Sequence, residues 1–461
     1  MATSQGGYVN GGFDLLKAPD APTITSVTTD IGTMSVAFTA PANPGGSAVT
    51  GYTVTAIDES TGASVGATGS ASPISISPGG GTFKVRAAAS NIYGPGRVSE
   101  FDTGNVVYAG AELETWGRNS NGQLGDGTVA YRSSPVQVGA LTNWSQVSLG
   151  DTFSAAVKTD GTFWAWGNGG NGGLGNNTTG QVSSPIQVGA LTNWYELSLG
   201  ETHVTSIKTD GTLWTWGNNL HGRLGDGTIV SKSSPIQVGA LTSWAQSSGG
   251  GQHSAATRTD RTLWAWGLNS TGQLGDNTVI ARSSPVQVGA LTNWSQVSGG
   301  ATSTAAVKTD GTLWSWGNNT NGRLGDGTVI NRSSPVQIGA LTGWAGVSAG
   351  SYHAAAVKSD GTLWAWGLNS SGQLGDGTVI ARSSPVQVGA LTNWAQVSSG
   401  RNHTTSIKSD ATLWGWGQNI SGQLGDGTVV SKSSPVQVGA LTSWYQVSAS
   451  GLQTAALYGV T

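Results

Sequence analysis

Four of the five histidines stand at one position of a repeating sequence, at spacings that are multiples of fifty residues: His203, His253, His353 and His403. Histidine recurring in this way could ligate a metal ion or serve as a general base. In the remaining copies, however, the same position holds Phe153, Ser303 and Gln453. Neither a ligand set nor a catalytic base would tolerate that mixture, so we expect these histidines to be structural.

The aspartates form two further sets. One occupies Thr/Ser-Asp turns, followed by glycine in four of the six copies, where aspartate can bond to its own backbone: Asp160, Asp210, Asp260, Asp310, Asp360 and Asp410. The other lies in Leu-Gly-Asp-Gly-Thr segments or a close copy, with Asn176 in the remaining repeat: Asp126, Asp226, Asp276, Asp326, Asp376 and Asp426. A glycosidase needs one pair of carboxyl groups at a fixed short separation, and a ring of equivalent sites specifies no such pair. Calcium at the second set is the alternative, although the ligand spacing of an EF-hand is absent. We therefore predict no catalytic residue, no cofactor and no metal site.

Composition excludes other chemistry. The chain has no cysteine, which removes thiolate nucleophiles, disulfides and cysteine-bound metals. Residues 112–461 contain 17 Lys/Arg and 17 Asp/Glu, interspersed along the repeats. Because nucleic-acid binding requires a concentrated basic face, we expect no nucleic-acid partner. No apolar run approaches the roughly 20 residues that span a bilayer, so no membrane span is expected.

A repeat of fifty residues must position all these side chains. Trp-Gly recurs without insertion or deletion at Trp116, Trp166, Trp216, Trp266, Trp316, Trp366 and Trp416. Each copy contains four short strand-like segments: one like Ser-Ala-Ala-Val-Lys, then Leu-Trp-Ala-Trp-Gly, then Pro-Val-Gln-Val after a long loop, then Trp-Ser-Gln-Val-Ser after Gly-Ala-Leu-Thr. Short strands at this period predict a β-propeller with seven blades over residues 112–461.

The tryptophans are predicted to be structural. The two in Leu-Trp-Ala-Trp-Gly are two residues apart and point to the same side of their strand, where a neighbouring blade can cover them. A sugar-binding aromatic platform is the alternative.

The two ends of the repeat region predict how the ring closes. The first copy lacks its Ser-Ala-Ala-Val-like strand, and we expect residues 453–457, Gln-Thr-Ala-Ala-Leu, to supply that strand and nothing more. Asn105-Val-Val-Tyr108 is the competing segment.

The blade sequence resembles a known repeat. The stretch from His253 through Leu263-Trp-Ala-Trp-Gly-Leu-Asn269 to Gly272-Gln-Leu-Gly275 is similar to the regulator of chromosome condensation repeat. That resemblance implies a propeller with seven blades. In the family, nucleotide exchange on a small nuclear GTPase depends on an insertion from one blade and chromatin docking depends on a basic tail. Neither is present here, so we do not expect exchange activity.

The N-terminal part has a different texture. Residues 18–104 alternate apolar and polar residues between Gly/Pro/Asn turns, which is typical of a β-sandwich. The segment resembles a fibronectin type III domain, through Pro41-Ala-Asn-Pro-Gly-Gly-Ser, Tyr52 and the stretch from Ala89 to Gly96. It departs from that family at Phe38 and Phe83, where a tryptophan and a tyrosine are usual. Residues 1–17 are predicted to be a tail or docking segment and residues 105–111 a linker, so the expected fold class is all-β.

The copies differ mainly at one end of the predicted blades. The connection before each histidine position, which we expect to join one blade to the next, varies, whereas the Thr/Ser-Asp-Gly and Gly-Ala-Leu-Thr turns barely change. Differences at one rim of a near-identical framework suggest a recognition surface, while unconstrained drift of loops is the alternative. The candidate recognition rim consists of Asp151, Thr152, Glu201, Thr202, Gln252, Thr302, Tyr352, Arg401 and Asn402.

These observations favour a binding protein rather than an enzyme. A fibronectin-like module is typical of extracellular settings, yet the N-terminus has no signal-peptide pattern. A bacteriophage virion protein (a fibre, tail-associated or capsid-surface component) would reconcile the two, because lysis releases it. We expect residues 1–17 and the sandwich domain to contact other virion proteins, and the rim to bind a host-surface glycan or protein, in multiple copies. The alternatives are a secreted or cell-surface bacterial adhesion protein and an intracellular scaffold.

Overall fold

A computed structural model of the chain describes residues 18–30, 33–58, 64–76, 83–99 and 111–459. The chain divides into two compact units, residues 1–109 and 110–461. The predicted tail 1–17, most of the predicted linker 105–111 and the segment Asn105–Tyr108 lie outside the described residues.

The described residues of the first unit form two antiparallel sheets. Its strands are β1 (Thr23–Asp30), β2 (Thr33–Thr39), β3 (Gly51–Asp58), β4 (Ser64–Gly69), β5 (Ile74–Ile76), β6 (Phe83–Asn91) and β7 (Gly94–Val98). One sheet has the order β1-β2-β5 and the other β4-β3-β6-β7. Alternate residues of both sheets are buried together, including Val36, Val54 and Val85, because side chains two apart on a strand share a face.

The second unit is built of 28 strands. In chain order they are β8 (Ala111–Gly117), β9 (Arg132–Gln137), β10 (Trp144–Leu149), β11 (Phe153–Lys158), β12 (Phe163–Gly167), β13 (Val182–Gln187), β14 (Trp194–Leu199), β15 (His203–Lys208), β16 (Leu213–Gly217), β17 (Lys232–Gln237), β18 (Trp244–Gly249), β19 (His253–Arg258), β20 (Leu263–Gly267), β21 (Arg282–Gln287), β22 (Trp294–Gly299), β23 (Ser303–Lys308), β24 (Leu313–Gly317), β25 (Arg332–Gln337), β26 (Trp344–Ala349), β27 (His353–Lys358), β28 (Leu363–Gly367), β29 (Arg382–Gln387), β30 (Trp394–Ser399), β31 (His403–Lys408), β32 (Leu413–Gly417), β33 (Lys432–Gln437), β34 (Trp444–Ser450) and β35 (Gln453–Gly459). Short 3-10 helices cover Gly170–Gly172, Leu220–Gly222 and Thr320–Gly322.

These strands form the seven blades that the repeat predicts. Blades 1 to 6 are β10–β13, β14–β17, β18–β21, β22–β25, β26–β29 and β30–β33, each written from the inner strand to the outer strand. Blade 7 joins β34 and β35 from the end of the chain to β8 and β9 from its beginning. Strand β35 pairs with β8 along its whole length, from Gln453 opposite Gly117 to Gly459 opposite Ala111.

Two details of the expected blade were wrong. Residues 453–457 lie in β35, which pairs with β8, but the blade also takes β34 from the end of the chain as its inner strand. Likewise, the connection at Gly150-Asp151-Thr152 does not join two blades but is a hairpin between β10 and β11 of one blade. Three residues are enough for a hairpin between antiparallel neighbours, and the longer Gly-Ala-Leu-Thr segment makes the step from outer strand to next inner strand.

The core between blades is aromatic. Trp144 on the inner strand contacts Trp164 and Trp166 of the same blade, with ring centroids 6.2 and 6.1 Å apart. Trp166 is fully buried, whereas Trp164 is half-buried and the Lys158 ammonium lies 3.7 Å from its ring centroid. Gly125 of the preceding blade packs on Trp166, because a Cβ there would lie 2.6 Å from the indole nitrogen.

Candidate functional site

Antiparallel order places the connections at two ends of the propeller. The loop face carries the hairpins between inner and second strands, such as 150–152, and the long loops between third and outer strands, such as 168–181. The turn face carries the Thr/Ser-Asp-Gly turns and the Gly-Ala-Leu-Thr connections. Ala111 and Gly459 pair at the turn-face end of blade 7, so the loop face is the end away from the first and last described residues of the propeller.

A ring of serines fixes the inner strands to one another. The backbone N–H on the free edge of each inner strand donates to a serine hydroxyl of the preceding blade, at 2.9 to 3.2 Å. The acceptors are Ser148, Ser198, Ser248, Ser298, Ser348, Ser398 and Ser448. An unpaired strand edge would otherwise leave these donors unsatisfied around the axis.

A second ring lies two residues earlier on the same strands. In five of the seven blades a glutamine Oε1 accepts the N–H of the next blade's inner strand, as Gln296 does from Val347 at 2.9 Å. Gly346 leaves one gap in this ring. In blade 2 the acceptor is Glu196, whose carboxylate takes the Ser247 N–H at 3.2 Å and the Ser247 hydroxyl at 2.8 Å. Burial raises the pKa of Glu196 to about 7, although both Ser247 hydrogen bonds act to lower it.

The histidines belong to a third ring, between the second strands. Each Nε2 lies 2.7 to 3.0 Å from a Ser or Thr hydroxyl of the next blade, as in His253 with Thr304. The Thr304 hydroxyl itself donates to the Gln273 carbonyl, so the imidazole must be the donor in their bond. Burial lowers the pKa of His353 to about 3 and those of His253 and His403 to about 4. These imidazoles are neutral near pH 7 and hydrogen-bond neighbouring blades to each other, so they are not candidate bases.

Around the axis, the loop-face hairpins form a mouth, defined here by residues 150–152, 200–202, 250–252, 300–302, 350–352, 400–402 and 451–452. Inner-strand ends from every blade line a cavity of about 170 Å³ below it. All nine residues of the predicted rim lie in these hairpins, and Glu201 among them also lines the cavity. Arg401 is exposed and the other eight are half-buried. Neighbouring hairpins are joined by backbone bonds, such as Asp151 N–H to the Glu201 carbonyl at 3.1 Å.

The mouth is electrically asymmetric. Asp151 and Glu201 are neighbours on one side, and Gly251, Ala301 and Ser351 follow before Arg401. Burial raises the pKa of Glu201 and the Asp151 carboxylate adds to the effect, while Arg223 and Arg401 oppose it.

Opposite these acids, the Tyr352 ring lies between two guanidinium groups. Arg323 is 5.2 Å and Arg401 6.0 Å from the ring centroid. One side of a frame with near-sevenfold repetition is thus acidic, and the other is cationic and aromatic.

The second aspartate set organises the long loops. Asp276 accepts from Asn269 Nδ2 at 3.0 Å and from the Thr278 N–H and hydroxyl, and it pairs with Arg282. Although burial acts to raise it, these donors together hold the pKa of Asp276 below its usual range. Among the described residues there is no group of three or more His, Asp or Glu that could hold a metal ion.

The profile of the RCC1-like domain matches residues 105–395 of the chain. The chain belongs to the RCC1-like domain family. The regulator of chromosome condensation repeat also matches residues 410–457 and, in a second form, 394–423, so the resemblance read from the blade sequence is confirmed. No curated protein matches the chain significantly.

Solved structures of the family share this propeller. Human WBSCR16 superposes with a TM-score of 0.69 at 20% identity, over 76% of this chain and 98% of that one. Prp20p from Saccharomyces cerevisiae, described with its binding to Gsp1p and histones, gives 0.67 at 18% identity over 76% and 92%. Yeast RCC1 (Prp20) bound to Kap60 gives 0.68 at 17% identity over 76% and 89%. At these identities the comparison establishes the fold alone.

This RCC1-like propeller also has an apolar feature that the sequence analysis missed. In the long loops, two consecutive residues after the Asp-Gly-Thr or Asp-Asn-Thr segment are exposed and aliphatic in five blades: Ile229–Val230, Val279–Ile280, Val329–Ile330, Val379–Ile380 and Val429–Val430. We call these the aliphatic pairs. Blade 7 has Val129–Ala130 and blade 1 has Thr179–Gly180 instead. Their fifty-residue spacing inside Gly/Asn/Asp/Thr-rich loops was the available signal. In the described part of the chain, no helix has the length and apolarity to cross a membrane.

Proposed function

We propose that this protein is a non-enzymatic component of a bacteriophage virion whose loop-face mouth recognises a host-surface glycan or protein. The observation that carries the proposal is a contrast within one ring. The serine ring is complete in all seven blades, whereas the residues above it change charge and size from blade to blade. A rigid frame with varied side chains at one opening is how scaffolds with recognition loops are built.

The acidic and cationic sides of the mouth support specific recognition. Arg401 is exposed beside the half-buried Tyr352, and its guanidinium offers paired donors to an acceptor on the target. On the opposite side of the mouth, Asp151 and Glu201 instead favour cationic or hydrogen-bond-donating groups of a target. A target that spans the mouth would therefore be oriented as well as held.

The first unit is proposed to be a fibronectin type III domain. Its two antiparallel sheets share one apolar core, and Phe38 packs on Tyr52 with ring centroids 4.8 Å apart. In the proposed virion this domain and residues 1–17 dock the protein to other virion proteins, in several copies per particle.

Adhesion of the full chain to host cells tests the recognition surface. The variant Tyr352→Ser with Arg401→Gln should lose most binding, because it removes the aromatic ring and the exposed cation together. Thr342→Ala, an exposed change on the turn face, is the matched control and should bind normally. Equal binding by all three proteins would refute the assignment of the mouth.

The location is tested separately by mass spectrometry of purified particles. Detection among the structural proteins of a virion supports the proposal. Detection only on the surface or in the medium of uninfected bacteria would replace it with the adhesion-protein alternative.

A further inference from the structure

The aliphatic pairs are held out in solvent by the loops that carry them. Their exposed fractions, with Val129 of blade 7, run from 55% at Val129 to 67% at Ile229. The backbone of the second residue of each pair is fixed on both sides. In blade 3, for example, the Ile280 N–H donates to the Thr278 hydroxyl at 3.2 Å and its carbonyl accepts from Asn269 Nδ2 at 3.1 Å. The loops therefore cannot fold these side chains inward without breaking several hydrogen bonds.

The exposed aliphatic area is large enough for an interface. A fully exposed Val or Ile side chain presents on the order of 100 Å² of apolar surface. The five pairs and Val129 make eleven side chains at about 60% exposure, or roughly 650 Å². A standard interface uses about 800 Å² per partner, of which roughly 450 Å² is non-polar. Because the positions are fixed in advance, little conformational entropy is lost when they are covered.

We propose that the loop face binds the loop face of a second copy of this chain, about a twofold axis perpendicular to the propeller axis. Such an axis reverses the order of the blades in the second copy. Each aliphatic pair of one copy can then contact an aliphatic pair of the other. Seven such registers exist for seven blades. The break in the aliphatic ring selects one of them, and the charges of the mouth are complementary in that register.

The first feature is the break in the aliphatic ring. The two blades without a full pair, 1 and 7, are neighbours in the ring. Only one register sets blade 1 opposite blade 7. It places blade 2 opposite blade 6, blade 3 opposite blade 5 and blade 4 opposite itself, so every full pair meets a full pair.

The second feature is charge. In the same register Glu201 of blade 2 lies opposite Arg401 of blade 6, and the pairing occurs twice in the dimer. Asp151 then lies opposite Gly451, and Ala301 lies on the axis. One other register, with blade 6 opposite blade 1, sets Arg401 against Asp151, but it leaves the full aliphatic pair of blade 6 opposite blade 1, which has none. Opposite charges across an interface fix register more than they add affinity.

This inference goes beyond the proposed function, because it requires no particular target. It does bear on that function, since self-association covers the mouth and so excludes the target. The dimer is a closed form of the recognition face.

Sedimentation equilibrium of the full chain tests the dimer. The wild type should show a reversible monomer–dimer equilibrium. Arg401→Glu sets like charges opposite each other and should raise the dimer Kd by at least about tenfold. Ile330→Ser, in the pair that meets its own copy, should also raise it, while Thr342→Ala on the turn face should leave it unchanged.

A mixture tests the register. Glu201→Arg and Arg401→Glu should each be monomeric alone, yet an equimolar mixture should form a heterodimer, because both facing pairs are again opposite in charge. If Glu201→Arg does not fold, Arg401→Glu and Ile330→Ser still decide the question. A wild type that stays monomeric throughout, or one that instead pellets with lipid vesicles, would overturn the proposal. So would a mixture no more dimeric than its components. Adhesion is read in a different assay, so failure of the dimer and failure of recognition are distinguishable.

Discussion

Replacing Glu196 by glutamine should make the propeller more stable above neutral pH. Glu196 stands at a ring position where five other blades use glutamine, and it accepts two hydrogen bonds from Ser247 in place of one from a valine N–H. Burial raises its pKa to about 7 from an ordinary 4.5. A raised carboxyl pKa means that folding favours the protonated form, so this stabilisation is complete below pH 4.5 and is lost as pH rises through about 7.

The size of the effect follows from those two values. The difference between pKa values of about 7 and 4.5 means that ionisation of Glu196 lowers the free energy of unfolding by about 3 kcal/mol. A propeller of roughly 350 residues has an unfolding entropy near 0.7 kcal/mol per kelvin, so the melting temperature at pH 8 should rise by about 4 °C. At pH 5 the wild type and Glu196→Gln should melt within about 1 °C of each other.

Thermal unfolding followed by tryptophan fluorescence at pH 5 and pH 8 checks this expectation. Gln396→Glu is the matched control, because Gln396 accepts from Val447 at 2.8 Å and valine offers no hydroxyl. That variant should lose more stability between pH 5 and pH 8 than the wild type does. If Glu196→Gln melts at the wild-type temperature at pH 8, the carboxyl is not ionising at a cost and the reasoning is refuted.

Three further predictions concern the rings, the loops and the closure. His253→Gln, which copies the residue of blade 7, should flatten the loss of stability between pH 6.5 and about 4 in acid titration: a lowered histidine pKa contributes stability above pH 6.5 that disappears as pH falls through about 4. An unchanged acid profile would contradict it. Asn219→Ala removes the hydrogen bonds that Nδ2 donates to Asp226 and to the Val230 carbonyl, and it should lower the free energy of unfolding by about 1–3 kcal/mol. It should also speed proteolysis within residues 218–231. Cleavage within 168–181 should not change, because Gly169 already stands in place of the asparagine there. Equal cleavage of both loops would show that the asparagine does not hold its loop. Deleting residues 453–461 removes β35 and should abolish the single cooperative unfolding transition, whereas deleting residues 460–461 alone should preserve it. Calorimetry measures the transition of both variants. A sharp transition without β35 would mean that closure of the ring does not depend on that strand.

The repeat period predicted the blade count, because seven copies of fifty residues without insertion or deletion correspond to seven blades. It did not predict where one blade ends, since the short connection before His203 and the Gly-Ala-Leu-Thr segment are both plausible boundaries in sequence. The lengths of the connections distinguish the two possibilities. Three residues are typical of a hairpin between paired strands and are too few to run from the outer strand of one blade to the inner strand of the next. The inter-blade hydrogen bonds could not be predicted. They join residues fifty-one apart, such as Ser148 and Leu199, and depend on how far each blade is rotated from the last.

The recognition rim was predicted from variation between copies, and the structure places those residues in the loop-face hairpins. The aliphatic pairs were missed because periodic apolar residues were sought in strands and not in loops. Glu196 was also missed, since its exchange for glutamine is conspicuous only once that position is seen to face the next blade's Ser247.

The inter-blade bonds also bear on circular permutation. Blade 7 is held to blade 1 by contacts of the kind that join the other blades, including Gln446 to Val147, Ser448 to Leu149 and Trp166 to the Gln123 carbonyl. The junction at which the chain closes the ring is therefore held in the same way as the junctions between consecutive blades. A gene whose ends are joined and reopened within any Gly-Ala-Leu-Thr connection should encode the same ring, and new termini can be placed beside whichever blade an added domain needs to reach.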